Sequence, residues 1–166
     1  MGQGMRSVVI FGCGNLIVGD DGFGPLVIKE LTSGYELPEW VDAIDAMTGI
    51  REYLFDYLLC EEGRPEHIII LDAVDFSGRN PGEVFRICSS SIPDPKKHDF
   101  SLHQFPTVNL LQELKEHTGI NVTIIAAQVG RVPVAIEPGL SAPMTAAVPK
   151  ACEMIMQVLL DNREAG

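Results

Sequence analysis

Asp20 and Asp21 in tandem, Asp72 directly after an isoleucine-rich run, and His103 further on are the residues of this sequence best suited to chemistry. Two carboxylates and one imidazole make three oxygen or nitrogen donors, which leave coordination positions of a divalent cation open for water or a substrate atom. Such a set suits metal-assisted hydrolysis, in which the cation polarises a carbonyl or activates a water. The tandem acids arrive in stretch 11–24, Phe-Gly-Cys-Gly-Asn-Leu-Ile-Val-Gly-Asp-Asp-Gly-Phe-Gly, where a glycine-rich turn follows an apolar run. A dinucleotide fingerprint would need a third glycine three residues after Gly14, so that the following helix could aim its amides at pyrophosphate. That position is Ile17, and the acidic pair would repel phosphate. The turn is therefore read as a carboxylate site.

Each of these residues also has a plainer role. Asp20 and Asp21 precede a helix, where an acid caps free amides and complements the dipole. Adjacent side chains cannot both face one point, so one acid is expected to cap and the other to serve the site. Asp72 could merely end a buried strand, although an acid there must find a partner. His103 is one of four histidines and could be an ordinary hydrogen-bonded loop residue; His67, His98 and His117 are read as structural or solvent-facing. Met144, Met154 and Met156 are read as helix packing rather than a ligand surface.

Positioning these groups requires an alternation of strands and helices. Residues 7–11 form a compact β-branched run, read as a buried strand, and 25–31 a helix with proline near its first turn. A second strand is expected over 41–45 and a helix over 50–59, where Ile50, Leu54, Tyr57 and Leu58 keep the helical period. Residues 67–71 are nearly all isoleucine and leucine, as in a central parallel strand covered on both faces. The alternation over 83–88 predicts a strand nearer an edge. A helix over 106–117 is stopped by Gly119, and 122–127 is another buried strand. The last helix should run from about 142 to 162 with Ser141 as N-cap, Pro149 ending a short turn or bending it. This order implies one α/β domain over 1–166, a doubly wound, mostly parallel sheet flanked by helices. Ligands of such sheets collect outside the carboxyl ends of the strands where the strand order reverses, which is where Asp21, Asp72 and His103 should fall. Stretch 89–104, rich in Ser, Pro and charge, should be a long loop that is mobile without a partner.

Composition narrows the class further. The formal net charge of −11 argues against a nucleic-acid backbone or an anionic membrane surface as partner. A cation, or a polypeptide tail carrying positive groups, is compatible with it. Cys13, Cys60, Cys88 and Cys152 lie far apart without a CxxC pair, so no zinc knuckle or thioredoxin motif is present and a reducing setting is expected. The apolar runs are too short to span a bilayer, and the start of the sequence lacks the features of a signal peptide. A soluble, cytoplasmic monomer is expected.

Taken in order, the motifs resemble those of the hydrogenase maturation endopeptidases, aspartic-type hydrolases that trim the carboxyl terminus of the large subunit of nickel-iron hydrogenases. Gly12-x-Gly14-Asn15 followed by Asp20-Asp21-Gly22-x-Gly24 is similar to the family signature, and Asp72-Ala73 follows its strand as the family's second acid does. Ser101-Leu102-His103-Gln104 resembles the histidine motif, and Glu137-Pro138-x-Leu140-Ser141 the pattern before the last helix. Asp45-Ala46-Met47-Thr48-Gly49 resembles the segment that the family turns toward its substrate, with Ala46-Met47 standing where the family has a glycine-rich turn. The general similarity is greatest to the peptidases of methanogen hydrogenases that reduce a deazaflavin cofactor. The resemblance implies that Asp21, Asp72 and His103 are the catalytic, metal-contacting residues and that Asp45, Thr48 and Gly49 recognise the substrate. It implies a large-subunit precursor as partner and nickel as the cofactor, supplied by that precursor. Two other classes stay open: a Rossmann-like small-molecule module, which would bind nucleotide saturably, and a non-catalytic nickel chaperone or assembly factor, which would leave its partner at full length.

Overall fold

The computed structural model describes residues 7–88, 108–131, 133 and 135–165. Strand β1 (Val8–Cys13) is buried along its whole length. It lies parallel between β2 (Val41–Met47) and β3 (His67–Val74); β3 pairs in parallel with β5 (Asn121–Gln128), and β4 (Val84–Cys88) closes the edge antiparallel to β5. The strand order β2-β1-β3-β5-β4 is the doubly wound, mostly parallel sheet expected from the alternation, with the 83–88 run at the edge.

Because successive side chains of a strand point to opposite faces, the continuous apolar runs feed two cores. Val8, Ile10, Ile69 and Leu71 meet helices α1 (Phe23–Gly34) and α4 (Ala142–Glu164) on one face. Val9, Phe11, Ile68 and Ile70 meet α2 (Ile50–Leu59) and α3 (Val108–Thr118) on the other. Helices α1, α2 and α4 begin without a side-chain cap hydrogen bond. Burial of side chains such as Phe23, Leu31, Leu54 and Ile155, at roughly 1.5–3 kcal/mol each, outweighs the ~1 kcal/mol a cap supplies and holds them instead. Gly119, at φ +71°, follows α3 as the left-handed stop that the sequence suggests.

Two local expectations change. Strand β3 does not end at Leu71 but stays paired with β5 through Val74, so Asp72 stands inside the strand opposite Ala126 rather than in a loop beyond it. Helix α4 neither stops nor restarts at Pro149. The lost hydrogen bond and ring clash cost about 3 kcal/mol, which the burial of Ala147, Ala151, Cys152, Ile155 and Val158 along the same helix offsets.

Candidate active site

The order reverses at β1, whose two neighbours are reached from opposite sides, and the carboxyl ends of β1 and β3 are where ligands of such sheets collect. The glycines of the following turn let backbone segments meet there. A β-carbon on Gly24 would overlap the Cys13 backbone and the Leu71 carbonyl, so α1 seats its first turn directly on the ends of both strands. Gly14, at φ +132°, lies so close to Asp21 that a β-carbon would strike the Asp21 carbonyl.

The tandem acids occupy a 3₁₀ turn, Gly19–Gly22, that precedes α1. Both are buried, Asp20 at 1% and Asp21 at 2% exposure, and their roles divide. Asp20 Oδ2 accepts hydrogen bonds from the Gly130 amide at 2.8 Å, the Arg131 amide at 2.9 Å and the Ser141 hydroxyl at 2.9 Å. Its Oδ1 accepts from the Ser141 amide at 2.6 Å. The acid therefore does not serve the helix that follows it; it anchors the Ser141 amide and hydroxyl, where α4 begins. Ser141 stands at the N-cap position of α4, as expected, yet its hydroxyl is spent on Asp20. Asp21 turns toward the glycine-rich loop, where its Oδ2 accepts from the Asn15 amide at 2.9 Å. Residues 15–19 are pinned further by Asn15 Oδ1, which accepts from the Ile17 amide, and by the Val18–Glu137 bridge.

Asp72 shares its sheet face with Ile68, Ile70 and Val74 by the two-residue alternation, and so with Cys13 on the neighbouring strand. Its side chain keeps partial access to solvent. Desolvation, and next the Asp21 carboxylate, push its pKa well above the usual carboxylate range, while a hydrogen bond from the Ala73 amide pulls the other way. The Cys13 thiol is raised by burial first, then by Asp72, Asp45 and Asp21 in turn. One buried sulfur thus senses three carboxylates, which brings Asp21, Asp72 and Asp45 to one end of the sheet. It also removes Cys13 as a nucleophile, since a thiolate is disfavoured on every count.

Asp45 is exposed, and its Oδ1 accepts from the Met47 amide at 3.1 Å, which supports the positive φ of 49° at Met47. The Met47 carbonyl accepts from the Gly14 amide at 2.8 Å, so this turn is stitched to the glycine-rich loop; Thr48 is exposed beside it and Gly49 opens α2. His103 and stretch 89–104 lie outside the described residues. Among the described residues no group of three His, Cys, Asp or Glu side chains could hold a metal ion.

Three contributors escaped the sequence reading. In the sequence Ser141 reads as a cap and Asn15 as a motif residue; the bonds of Ser141 to Asp20 join segments 121 positions apart, whereas the Asn15–Asp21 bond is local, six residues apart. Gln128, buried at the end of β5, accepts from the Phe76 amide at 2.8 Å and donates to Asp75 Oδ1 at 3.0 Å, holding the segment that leaves β3. Its polarity at the close of an apolar strand was the available signal. The arrangement offers coupled carboxylates, a thiol kept protonated and a sheltered turn, a site for activating water or gripping a cation rather than for forming an acyl-enzyme.

Residues 25–158 match the family model for hydrogenase maturation protease. Over 152 residues the chain is 38% identical to a Methanocaldococcus jannaschii protein of the same description, covering 91% of this chain and 95% of that one. It is 35% identical over 153 residues to the coenzyme F420 hydrogenase subunit delta of Methanothermobacter thermautotrophicus, covering 90% and 92%. The fold is similar to that of the hydrogenase maturating endopeptidase HybD of Escherichia coli, with a TM-score of 0.75 at 25% identity over 96% of this chain and 94% of that one. The chain belongs to the hydrogenase maturation protease family, and its enzymatic class is that of a hydrolase.

Proposed function

We propose that this hydrolase removes a short carboxyl-terminal peptide from the nickel-loaded large-subunit precursor of a nickel-iron hydrogenase. The observation that carries the reading is the placement of Asp21, on the turn seated over the ends of β1 and β3, near Asp72 of β3, whose ionisation burial and then the Asp21 carboxylate disfavour unless a cation joins the two acids. In this reading the nickel is cargo of the substrate. Asp21 and Asp72 offer it oxygen donors and His103 a nitrogen donor, and a three-donor set grips a borderline cation less firmly than a closed four-donor site. Release of the product is then compatible with capture of the precursor. The metal supplies polarisation of the scissile carbonyl or of a water. The protein's own part is to hold the acids in place through the Asn15 amide and the Asp20 clamp, and to keep Cys13 protonated.

Asp45, Thr48 and Gly49 are assigned to precursor recognition, since their turn is exposed and tied to the acid-bearing loop through Met47 and Gly14. The setting is assigned as cytoplasmic: no helix among the described residues is long and apolar enough to cross a membrane, and Cys13, Cys60 and Cys152 are free thiols. The test is the mass of a nickel-loaded large-subunit precursor before and after incubation. Shortening by a discrete peptide, lost in Asp21→Asn, Asp72→Asn and His103→Ala, is expected. An unaltered mass with retained binding would make the chain a chaperone instead.

A further inference from the structure

The site is bordered by apolar side chains that nothing among the described residues covers. Leu16 is 41% exposed, Ile17 45%, Met47 55% and Ile136 74%. They sit on three loops joined by backbone hydrogen bonds: the Glu137 amide donates to the Ile17 carbonyl at 3.0 Å, the Gly19 amide to the Glu137 carbonyl at 2.8 Å, and the Gly14 amide to the Met47 carbonyl at 2.8 Å. Asp20 ties the same ensemble from below, because it binds the loop after β5 at Gly130 and Arg131 and the start of α4 at Ser141. These side chains are therefore displayed on a fixed frame, and a preorganised apolar surface loses the least entropy on binding. Around them stand the exposed acid Asp45 and Glu137, whose carboxylate is ion-paired with the exposed Arg131 at 3.3 Å, in a chain of net charge −11.

We infer that this rim docks the precursor's chain next to the scissile bond, as an extended segment that lays apolar side chains on Leu16, Ile17 and Ile136 and carries at least one cationic residue toward the acidic border. The inference rests on the proposed function for the identity of the partner. Its geometry is independent of that reading: the rim borders Asp21 through the Asn15–Val18 loop, so a chain lying on it passes the carboxylates. Because Arg131 already pairs with Glu137, the preference for a cationic over an acidic occupant comes from Asp45 and from the net charge of −11.

The test uses the full-length chain and the nickel-loaded precursor, with precursor binding read by interferometry and processing by mass. The paired substitution Ile17→Glu and Ile136→Glu should weaken precursor binding about 30-fold and raise KM at least ten times more than it lowers kcat. Ile17→Lys with Ile136→Lys should weaken it several-fold more than the glutamates do. Leu59→Glu, equally polar but placed where an 85% exposed leucine ends α2, should bind and process like the parent chain. Folding is not at stake at positions this exposed, and unchanged thermal midpoints verify it. If the glutamate and lysine pairs bind as tightly as the parent, the rim is not the docking surface; if the lysines bind better, the occupant is acidic and the inference fails. Sedimentation showing that the parent self-associates and the glutamate pair does not would assign the rim to a second copy, which also overturns it. Failure of the parent chain to cut a precursor that it binds through the rim would instead remove the proposed activity and leave the docking surface standing.

Discussion

Asp20→Asn is the substitution whose effect can be worked most fully from the geometry. The carboxylate receives four hydrogen bonds, from the Gly130 and Arg131 amides and the Ser141 hydroxyl on Oδ2 and from the Ser141 amide on Oδ1. An asparagine has the same shape but one acceptor oxygen. With its nitrogen at the Oδ1 position it meets the Ser141 N–H, and with its nitrogen at Oδ2 it meets two N–H groups, so the first orientation is preferred and one buried donor is orphaned. That orphan costs about 1–3 kcal/mol. The three surviving bonds change from charge-assisted to neutral, roughly halving each. The relief of desolvating an amide instead of a carboxylate offsets part of this. The net loss is about 3 kcal/mol, which with a urea m-value of about 2 kcal/mol/M lowers the unfolding midpoint by about 1.5 M. Ser141→Ala, which removes the hydroxyl alone, should cost about 1 kcal/mol, and less in the Asp20→Asn background because the two share one network. Urea titration followed by tryptophan fluorescence and circular dichroism reads both. A midpoint drop below 0.5 M for Asp20→Asn would refute the assignment of this acid as the structural clamp.

Further outcomes follow from other residues. Asp72→Asn should raise stability by about 1 kcal/mol, or 2–4 °C in Tm, while abolishing processing, because the ionised carboxyl is disfavoured by burial and by Asp21 whereas the amide is not; a fall in Tm would contradict it. The sign is consistent, since a carboxyl whose folded pKa is raised contributes stability at low pH that is lost as pH rises through that pKa. His67, buried between Thr123 at 2.9 Å and Asn162 at 2.7 Å, has its pKa lowered by burial below 6.5, with the Asn162 contact opposing and Arg86 assisting. The unfolded chain then binds the proton more readily, so stability complete above pH 6.5 declines on acidification; comparing urea midpoints at pH 7.5 and 5.5 should show a smaller decline in His67→Gln. Cys60, exposed, should label with a maleimide in the native protein, whereas buried Cys13 and Cys152, their thiols pushed up and that of Cys152 to about 11, should label only on unfolding, as peptide mass mapping would read. Fast native labelling of Cys13 would undo its placement beneath the acids.

The sheet was legible because its strands are buried on both faces: β1, β3 and β5 carry runs that only a covered parallel sheet needs, and the helices between them keep their period. The end of β3 was not legible, since an aspartate looks like a strand terminator, yet the pairing of Asp72 with Ala126 is decided by a strand some fifty residues further along the chain. The continuity of α4 through Pro149 was hidden for a similar reason, the buried face that outweighs the proline being a property of the packed molecule. At the site, the acids could be named from type and place. Their division of labour could only be stated as a choice, because Gly130, Arg131 and Ser141 approach Asp20 from more than a hundred positions away.

That division explains why the acids stand side by side. A 3₁₀ turn advances about 120° per residue, so neighbouring side chains leave it in widely different directions. In Gly19–Gly22 one direction leads to α4 and the loop after β5, and the other leads to the Asn15 loop. Fixing Asp20 with four hydrogen bonds therefore fixes the backbone from which Asp21 projects, with one peptide unit between the clamp and the second acid. An acid held against its like-charged neighbour Asp72 needs such an anchor, because repulsion would otherwise be relieved by a turn of the backbone. The expectation can be separated from stability itself. At a temperature well below unfolding, Ser141→Ala should keep its fold and its precursor binding yet process more slowly than the parent. Equal processing rates in the two proteins would show that Asp21 holds its place without the clamp.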